Sequence, residues 1–484
     1  MRHAMAIITM QYRSPEKSRK SRHAGLYATT RQAGCFYPLS VALHPFIIGG
    51  GNTSRRSRTA SHYKPEDVTM RTVYTNATII DSVNPEPLPQ GVVVVEDGRI
   101  AQVSRADAFQ PAEQDAVFDL NGSYLMPGLW DVHVHPDYLS LSTNPLPEQT
   151  ALFGHRLRSA LFDSGIMGFR CAGSHNYMDV AWRNAFDSGQ YVGPHLFASG
   201  HFLTTTGGHF LTSGHALECD GPYGFVKAIR EQIKNGVDHI KLNLSGGIIG
   251  PKWDLHTQSF YLDEELQAAF EICRTRGFKI MAHATHPGVV KAAIRLGAHS
   301  IEHGYIMDDE CIELLLEHGT WLVPTLAISQ LTPKQATNNW ESTFAIGRGW
   351  SHALCCRAEV AAPVHAEWFQ KALKAGVKMA LGSDIRPLKE AALLEMGLWT
   401  RNGASTWQTL QAATAHGAAI CGVGDKLGTI EVGKIADMIV VKESPLKDIH
   451  NVRKLELVIK DGQIISDKRP GKRAEGLKRW TPKP

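Results

Sequence analysis

The sequence predicts an α/β fold, a (β/α)8 TIM barrel with a small β-sandwich domain built from both chain ends. Three observations predict it. Between residues 126 and 419, strand-sized apolar runs alternate with stretches of helical period, the pattern of parallel strands joined by crossover helices. The two flanks, 70–125 and 420–470, carry instead short apolar runs broken by turn residues. Each flank also places Asp-Gly between two such runs, and tight hairpins favour that pair because both central residues take positive φ.

The elements follow in order. Residues 1–69 form a basic leader with eleven Lys and Arg against three Asp and Glu, suited to disorder or to an organelle transit peptide. An upstream extension of the reading frame explains it equally, since Met70 directly precedes the first strand-like run. In the first flank, Thr72-Val73-Tyr74, Ala77-Thr78-Ile79-Ile80 and the runs either side of Asp97-Gly98 predict an antiparallel β unit. Barrel strands are expected at 128–135, 167–171, 195–199, 239–244, 278–283, 299–303, 321–325 and 377–383, and eight repeats favour closure over an open sheet. Helix-period residues fill 224–234, 262–276 and 308–317. Before the seventh helix lies an insertion, 327–360, with Trp340 and Trp350; its length suits a lid or binding loop. The closing flank, with Met438-Ile439-Val440-Val441, 455–460 and Asp461-Gly462, is expected to pair with the first, and a basic tail ends the chain at 471–484.

Composition excludes several classes. The 484 residues are 43% hydrophobic and 20% charged, enough for a large core, and no run approaches the roughly 20 apolar residues of a membrane span. The net charge of +4 belongs to the leader: residues 70–484 carry 40 basic against 44 acidic side chains, which offers no surface for nucleic acid. Eight cysteines without CxxC spacing fit thiols in a reducing compartment, hence a cytoplasmic location.

Metal-compatible side chains fall at the C-terminal ends of the expected strands. His133 and His135, at i and i+2 of a strand, point to one side and can grip one ion. Lys241 lies between Ile240 and Leu242, His283 ends Ile280-Met281-Ala282, His303 ends Ser300-Ile301-Glu302, and Asp384 follows Leu381-Gly382-Ser383. Each has an ordinary reading by itself: a surface His-x-His pair, a solvated lysine, a helix cap. In a barrel, however, these strand ends converge on one mouth, and six such residues there point to a metal site.

These motifs resemble the amidohydrolase superfamily, within it the imidazolonepropionase-like and prolidase-like branch to which ochratoxinase belongs. The similarity covers residues 72–466: Pro127-Gly128-Leu129-Trp130-Asp131, Asp220-Gly221-Pro222, Ser245-Gly246-Gly247, Glu302-His303, Gly382-Ser383-Asp384 and Gly428-Thr429-Ile430-Glu431-Val432-Gly433. The resemblance implies that His133, His135 and Asp384 bind one divalent metal and His283 and His303 another, with Lys241 bridging both as its carboxylated form. Zinc suits such ligands, although manganese, cobalt and iron do too. Two Lewis acids lower the pKa of a shared water, and the hydroxide so formed attacks the carbonyl while Asp384 shuttles the proton.

The same resemblance implies a small-molecule substrate and a homo-oligomer. His209, in Thr206-Gly207-Gly208-His209, is expected to hydrogen-bond the carbonyl oxygen, with Arg170, Gly247, His286, Tyr305 and Arg386 as further substrate contacts. His286-Pro287 and Ile385-Arg386-Pro387 depart from the branch's small-residue pattern, so no relative's substrate carries over. A mononuclear deaminase places an acid after its third histidine, whereas this chain reads His283-Ala284-Thr285-His286. The expected activity is hydrolysis of a linear amide: an N-acyl amino acid, an Xaa-Pro or other dipeptide, or an aryl amide or urea. A cyclic amidohydrolase of imidazolonepropionase type stands second, and an inactive scaffold on the same fold third.

Overall fold

A computed structural model of the chain describes residues 71–137, 144–209 and 216–471, all within the unit Glu66–Pro484. The leader expected over 1–69 lies outside the described residues, as does the basic tail beyond Gly471.

Alternating β-branched residues and turn pairs build the strands of the first flank: β1 (Thr72–Ile79), β2 (Leu88–Glu96), β3 (Arg99–Arg105), β4 (Ala116–Asp119) and β5 (Tyr124–Pro127). Between β2 and β3, Asp97 at φ 49° and Gly98 at φ 75° make the primed turn that their sequence asks for. Two strands share the other edge of β1, with β4 on Thr72–Thr75 and β5 on Thr78 and Ile79. Both run parallel to β1, so the unit is mixed where an antiparallel one was expected.

Inside the chain come β6 (Leu129–Val134), β7 (Ile166–Cys171), β8 (His195–Phe197), β9 (Phe202–Thr204), β10 (Ala216–Glu218), β11 (Ile240–Asn243), β12 (Ile280–Ala284), β13 (Ser300–His303) and β14 (Trp321–Val323). The closing flank supplies β15 (Met438–Val441), β16 (Leu455–Lys460) and β17 (Gln463–Asp467), with a second primed turn at Asp461 (φ 49°) and Gly462 (φ 74°).

Both flanks join one sheet of order β17-β16-β15-β5-β1-β2-β3, with β4 beside β1. The expected sandwich of two sheets is therefore a single hydrogen-bonded path that curls. Its two hairpin turns reach the same segment, since Ala436 N–H donates to Gly98 O (2.9 Å) and Gly462 N–H donates to Ala436 O (3.0 Å). Period-two alternation divides the side chains between two cores. Leu125, Met438, Val440, Leu457 and Ile459 pack with Tyr74, Val93 and Ile100 inside the curl. Met126, Ile439, Val441 and Val458 face the other way and join the main core with Leu157 and Leu161.

The remaining strands form two parallel sheets, β6-β7-β8 and β10-β9-β11-β12-β13-β14. Seven of the expected barrel strands are present, and β9 and β10 are additions. The eighth, 377–383, makes a single bridge, Met379 to Leu322 of β14. It nonetheless spans the gap between the sheets: Leu322 N–H donates to Lys378 O (2.8 Å), and Val132 N–H of β6 donates to Leu381 O (2.9 Å). At the other join, Asp238 N–H donates to Ala198 O, just beyond β8 (2.8 Å).

The insertion expected as a loop folds into helices Leu326–Gln330 and Asn339–Gly347 and the start of His352–Ala375. Asn338 and Ser351 cap the latter two by accepting from Glu341 N–H and Leu354 N–H. Among the described residues no helix is long and apolar enough to cross a membrane.

Candidate active site

β6 and the residue after it present His133 and His135 on one side, as their i, i+2 spacing dictates. Asp384 arrives from the eighth segment, its N–H donating to His133 O (2.9 Å). Its Oδ1 lies 3.4 Å from His135 Nε2 and 3.8 Å from His133 Nε2. Ligand atoms of the three all fall within 4.8 Å of one another, a group that could hold a metal ion. The same cavity is lined by Lys241, His283, His303, His209 and Tyr305. His303 sits with its ring 4.4 Å from that of His283 and 4.9 Å from that of His133.

The backbone is bent at these strand ends. His303 (φ 73°), Thr325 (φ 52°) and Asp384 (φ 54°) are left-handed although each carries a Cβ, a strain of about 1–3 kcal/mol apiece that the surroundings must hold. Asp131 does much of that holding for Asp384: its carboxylate accepts from Ser383 N–H (2.9 Å) and Ser383 Oγ–H (2.5 Å). Gly382 fits because a Cβ there would run into Val323 and His133.

Hydrogen bonds fix which imidazole nitrogens face the cavity. A carboxylate and a carbonyl can only accept, so His133 Nδ1–H donates to Glu302 Oε2 (2.7 Å) and His135 Nδ1–H to Gly173 O (3.1 Å), leaving both Nε2 lone pairs for the cavity. His283 uses its opposite edge, donating Nε2–H to Gly246 O (3.0 Å). Burial pulls His133, His283 and His303 well below the usual imidazole range, with neighbouring cationic groups adding to it, so the rings are neutral, the form that binds metal. Burial likewise lowers the Lys241 ammonium and raises the Asp384 carboxyl, while attraction between the two opposes both shifts.

A model of the amidohydrolase family matches residues 124–465. The chain belongs to the amidohydrolase family. It is accordingly a hydrolase acting on carbon–nitrogen bonds. Ochratoxinase of Aspergillus niger is 29% identical over 401 residues, which cover 75% of this chain and 80% of that one. A Xaa-Pro dipeptidase solved with methionine in its active site superposes with a TM-score of 0.70 at 28% identity, covering 81% of this chain and 99% of its own. A prolidase complexed with N-methylphosphonate-L-proline gives 0.73 at 27% identity, covering 82% and 100%.

The sequence-derived substrate contacts of this amidohydrolase divide. Tyr305 lines the cavity against His303, ring centroids 5.2 Å apart. His209 lines it too, and its Nδ1–H donates to the fully buried Asp254 carboxylate (2.8 Å), turning Nε2 away from that partner. Gly247 serves the same pair, since its N–H donates to Asp254 Oδ1 (2.9 Å) and a Cβ there would enter the His209 ring. Arg170 is buried with Nε on Val132 O, NH1 on Ser300 Oγ and NH2 on Glu302 Oε1 (2.8, 2.9 and 2.8 Å), so it orients the partner of His133 and stands outside that cavity. His286 also stands outside that cavity, half-buried against Ser259 Oγ (3.0 Å). Arg386 lines an adjoining cavity.

Residues missed from sequence include Asn243, Asp254 and Arg357. Asn243 lines the cavity with its Oδ1 buried and without a partner among the described residues, and the period-two rule that joins His133 to His135 would have joined it to Lys241. Arg357, from helix His352–Ala375, donates to Gly247 O (2.5 Å), Gly250 O (3.0 Å), Pro251 O (3.2 Å) and Asp254 O, which clamps the loop carrying Asp254. Neither Asp254 nor Arg357 has a sequence signature.

Proposed function

We propose that this amidohydrolase is a metal-dependent hydrolase of a linear amide bond in a small molecule: an N-acyl amino acid, a dipeptide of the Xaa-Pro kind, or an aryl amide or urea. Within that range a metallo-dipeptidase or carboxypeptidase is favoured, because the dipeptidase and prolidase structures resemble it over nearly their whole length. The observation that carries the reading is the set of three ligand atoms of His133, His135 and Asp384 within 4.8 Å of one another, in a cavity shared with Lys241, His283 and His303.

The donor set fits two divalent ions, zinc foremost, because the His133, His283 and His303 imidazoles are neutral and the outward nitrogens of His133, His135 and His283 are tied back by acceptors. In this reading His133, His135 and Asp384 would hold one ion and His283 and His303 the other, with carboxylated Lys241 as a further ligand. Burial of Lys241 supports the carboxylated form, since carbon dioxide adds only to the uncharged amine and an ammonium cannot bind a cation. When bound, the ions supply Lewis acidity that lowers the pKa of a water and polarises the scissile carbonyl. Asp384 takes the proton of the attacking water and passes it to the departing nitrogen. His209, positioned by Asp254, faces the carbonyl oxygen.

The two parallel sheets are read as one closed (β/α)8 barrel over 126–419, because 377–383 hydrogen-bonds to β14 on one side and β6 on the other. The curled sheet, 70–125 plus 420–470, is read as a separate composite domain. Seven free cysteines among the described residues suit a cytoplasmic enzyme. We also propose a homo-oligomer, which sedimentation would report.

The test joins metal analysis to a substrate panel. Chelation is expected to abolish hydrolysis of N-acyl amino acids and dipeptides, and zinc to restore it. Full activity after exhaustive chelation, or preference for ring amides over linear ones, overturns the reading.

A further inference from the structure

Glu395, in helix Leu388–Arg401, is a fully buried acid that the proposed reaction does not use. Its Oε1 accepts from Leu326 N–H (2.8 Å) and Trp399 Nε1–H (3.1 Å), and its Oε2 from Ala327 N–H (2.8 Å). Burial pushes the carboxyl up, and these three donors pull it back toward the charged form. Leu326 and Ala327 open the short helix Leu326–Gln330, and Thr325 is the residue just before it. A threonine in that position ordinarily turns its own hydroxyl onto the first free N–H groups of the helix. Thr325 makes no such bond; its Oγ1 lies 2.6 Å from His303 Nδ1 instead. The hydroxyl thus serves the histidine, and Glu395 caps the helix in its place.

Thr325 is also left-handed (φ 52°), a state that a β-branched residue keeps only where its surroundings hold it. The two N–H groups that follow it are the ones Glu395 accepts, so the carboxylate fixes the backbone on which the hydroxyl is mounted. We infer that Glu395 is a positioning residue for His303 and acts through Thr325: it caps the helix, Thr325 Oγ1 is thereby aimed at His303 Nδ1, and His303 Nε2 is left to the cavity. A hydroxyl can accept from Nδ1–H, the tautomer that keeps the Nε2 lone pair free. His133, His135 and His283 are braced directly, by Glu302, Gly173 O and Gly246 O, whereas His303 is braced through this two-step chain of contacts. The inference rests on the metal reading for what His303 binds, though not for how its ring is held.

The test uses the zinc-loaded full chain with its Glu395→Gln, Thr325→Val and doubly substituted forms. Glutamine keeps the size and one acceptor oxygen, and valine keeps the branched shape without the hydroxyl. Zinc retained against a graded chelator series is measured beside the melting temperature. Each single substitution is expected to weaken zinc retention about 10–100-fold, as loss of a partner that orients a metal-binding histidine does, and Thr325→Ser to recover most of it. The double form should lose little more than either single one, because both substitutions break the same chain of contacts. Wild-type zinc retention in either single variant, or additive losses in the double form, overturns the positioning role even where the melting temperature falls. If wild-type protein itself holds no zinc, the metal reading falls and imidazole NMR of the chain decides separately. Glu395→Gln should then lose the same exchange-protected histidine N–H signal as Thr325→Val, and survival of that signal overturns the inference.

Discussion

Asp384 combines two demands that one substitution separates poorly: it stands within reach of His133 and His135, and in the proposed reaction it handles the proton. Asp384→Ala is expected to lower kcat/KM by roughly 10²–10⁴-fold, as loss of a general acid-base does, with circular dichroism unchanged. Retention of more than a tenth of wild-type turnover would remove Asp384 from the reaction. Asp254 acts one residue further out. Removing its carboxylate in Asp254→Ala leaves His209 Nδ1–H without its acceptor, for which about a 10–100-fold loss is expected, falling on kcat more than on KM. Asp254→Asn keeps one acceptor oxygen and should recover part of the loss; steady-state kinetics of both variants decide. At this scale, period-two spacing made His133 and His135 legible, and strand ends made Lys241, His283, His303 and Asp384 so. Asp254 was illegible because a loop carboxylate carries no periodicity, and the partners of Arg170 were illegible because sequence does not show what a buried guanidinium already binds.

The Arg357 clamp works between elements. One side chain of helix His352–Ala375 gathers four carbonyls of the 247–254 loop, and Asp254 and Gly247 in turn hold His209. Arg357→Ala should free those carbonyls at a cost of about 2–4 kcal/mol, taking roughly 1 kcal/mol for each net hydrogen bond. Hydrogen exchange should show faster amides across 247–254 with the parallel strands unaffected, whereas uniform acceleration would mean general destabilisation instead. The helices that carry this clamp were only half legible. Asn338 followed three residues later by Glu341 is a helix-start signature, and Ser351 is a good cap, but Gly347, Gly349 and two tryptophans interrupt the apolar period that would have announced helices. The Asp-Gly hairpins, by contrast, could be read outright, because their backbone demands a residue type.

For the molecule as a whole, a buried ionic cluster helps fasten the curled sheet to the parallel strands. Asp437 Oδ2 accepts from His195 Nε2, at the start of β8 (2.8 Å), and from Lys460 Nζ, at the end of β16 (3.0 Å). Burial alone would raise the Asp437 carboxyl, yet Lys460, His195 and the Asp461 N–H hold it well below the usual carboxylate value. A folded-state pKa below the unfolded one adds stability that is present above the unfolded value, near 4, and lost as pH falls below about 5. Urea midpoints should therefore decline between pH 5 and pH 3 in wild type and less steeply in Asp437→Asn; equal slopes would refute the assignment. Sequence showed that the two flanks belong together, since both carry the same hairpin signal, but not the parallel pairing of β4 and β5 with β1, which joins non-neighbouring strands, or the curl, in which Ala436 meets Gly98 from the other end of the chain. His195 opens β8 whereas His303 closes β13, so the fastening lies at a strand start and the candidate active site at strand ends. An engineer could thus harden the foot of this enzyme against heat or acid and leave turnover at its crown untouched.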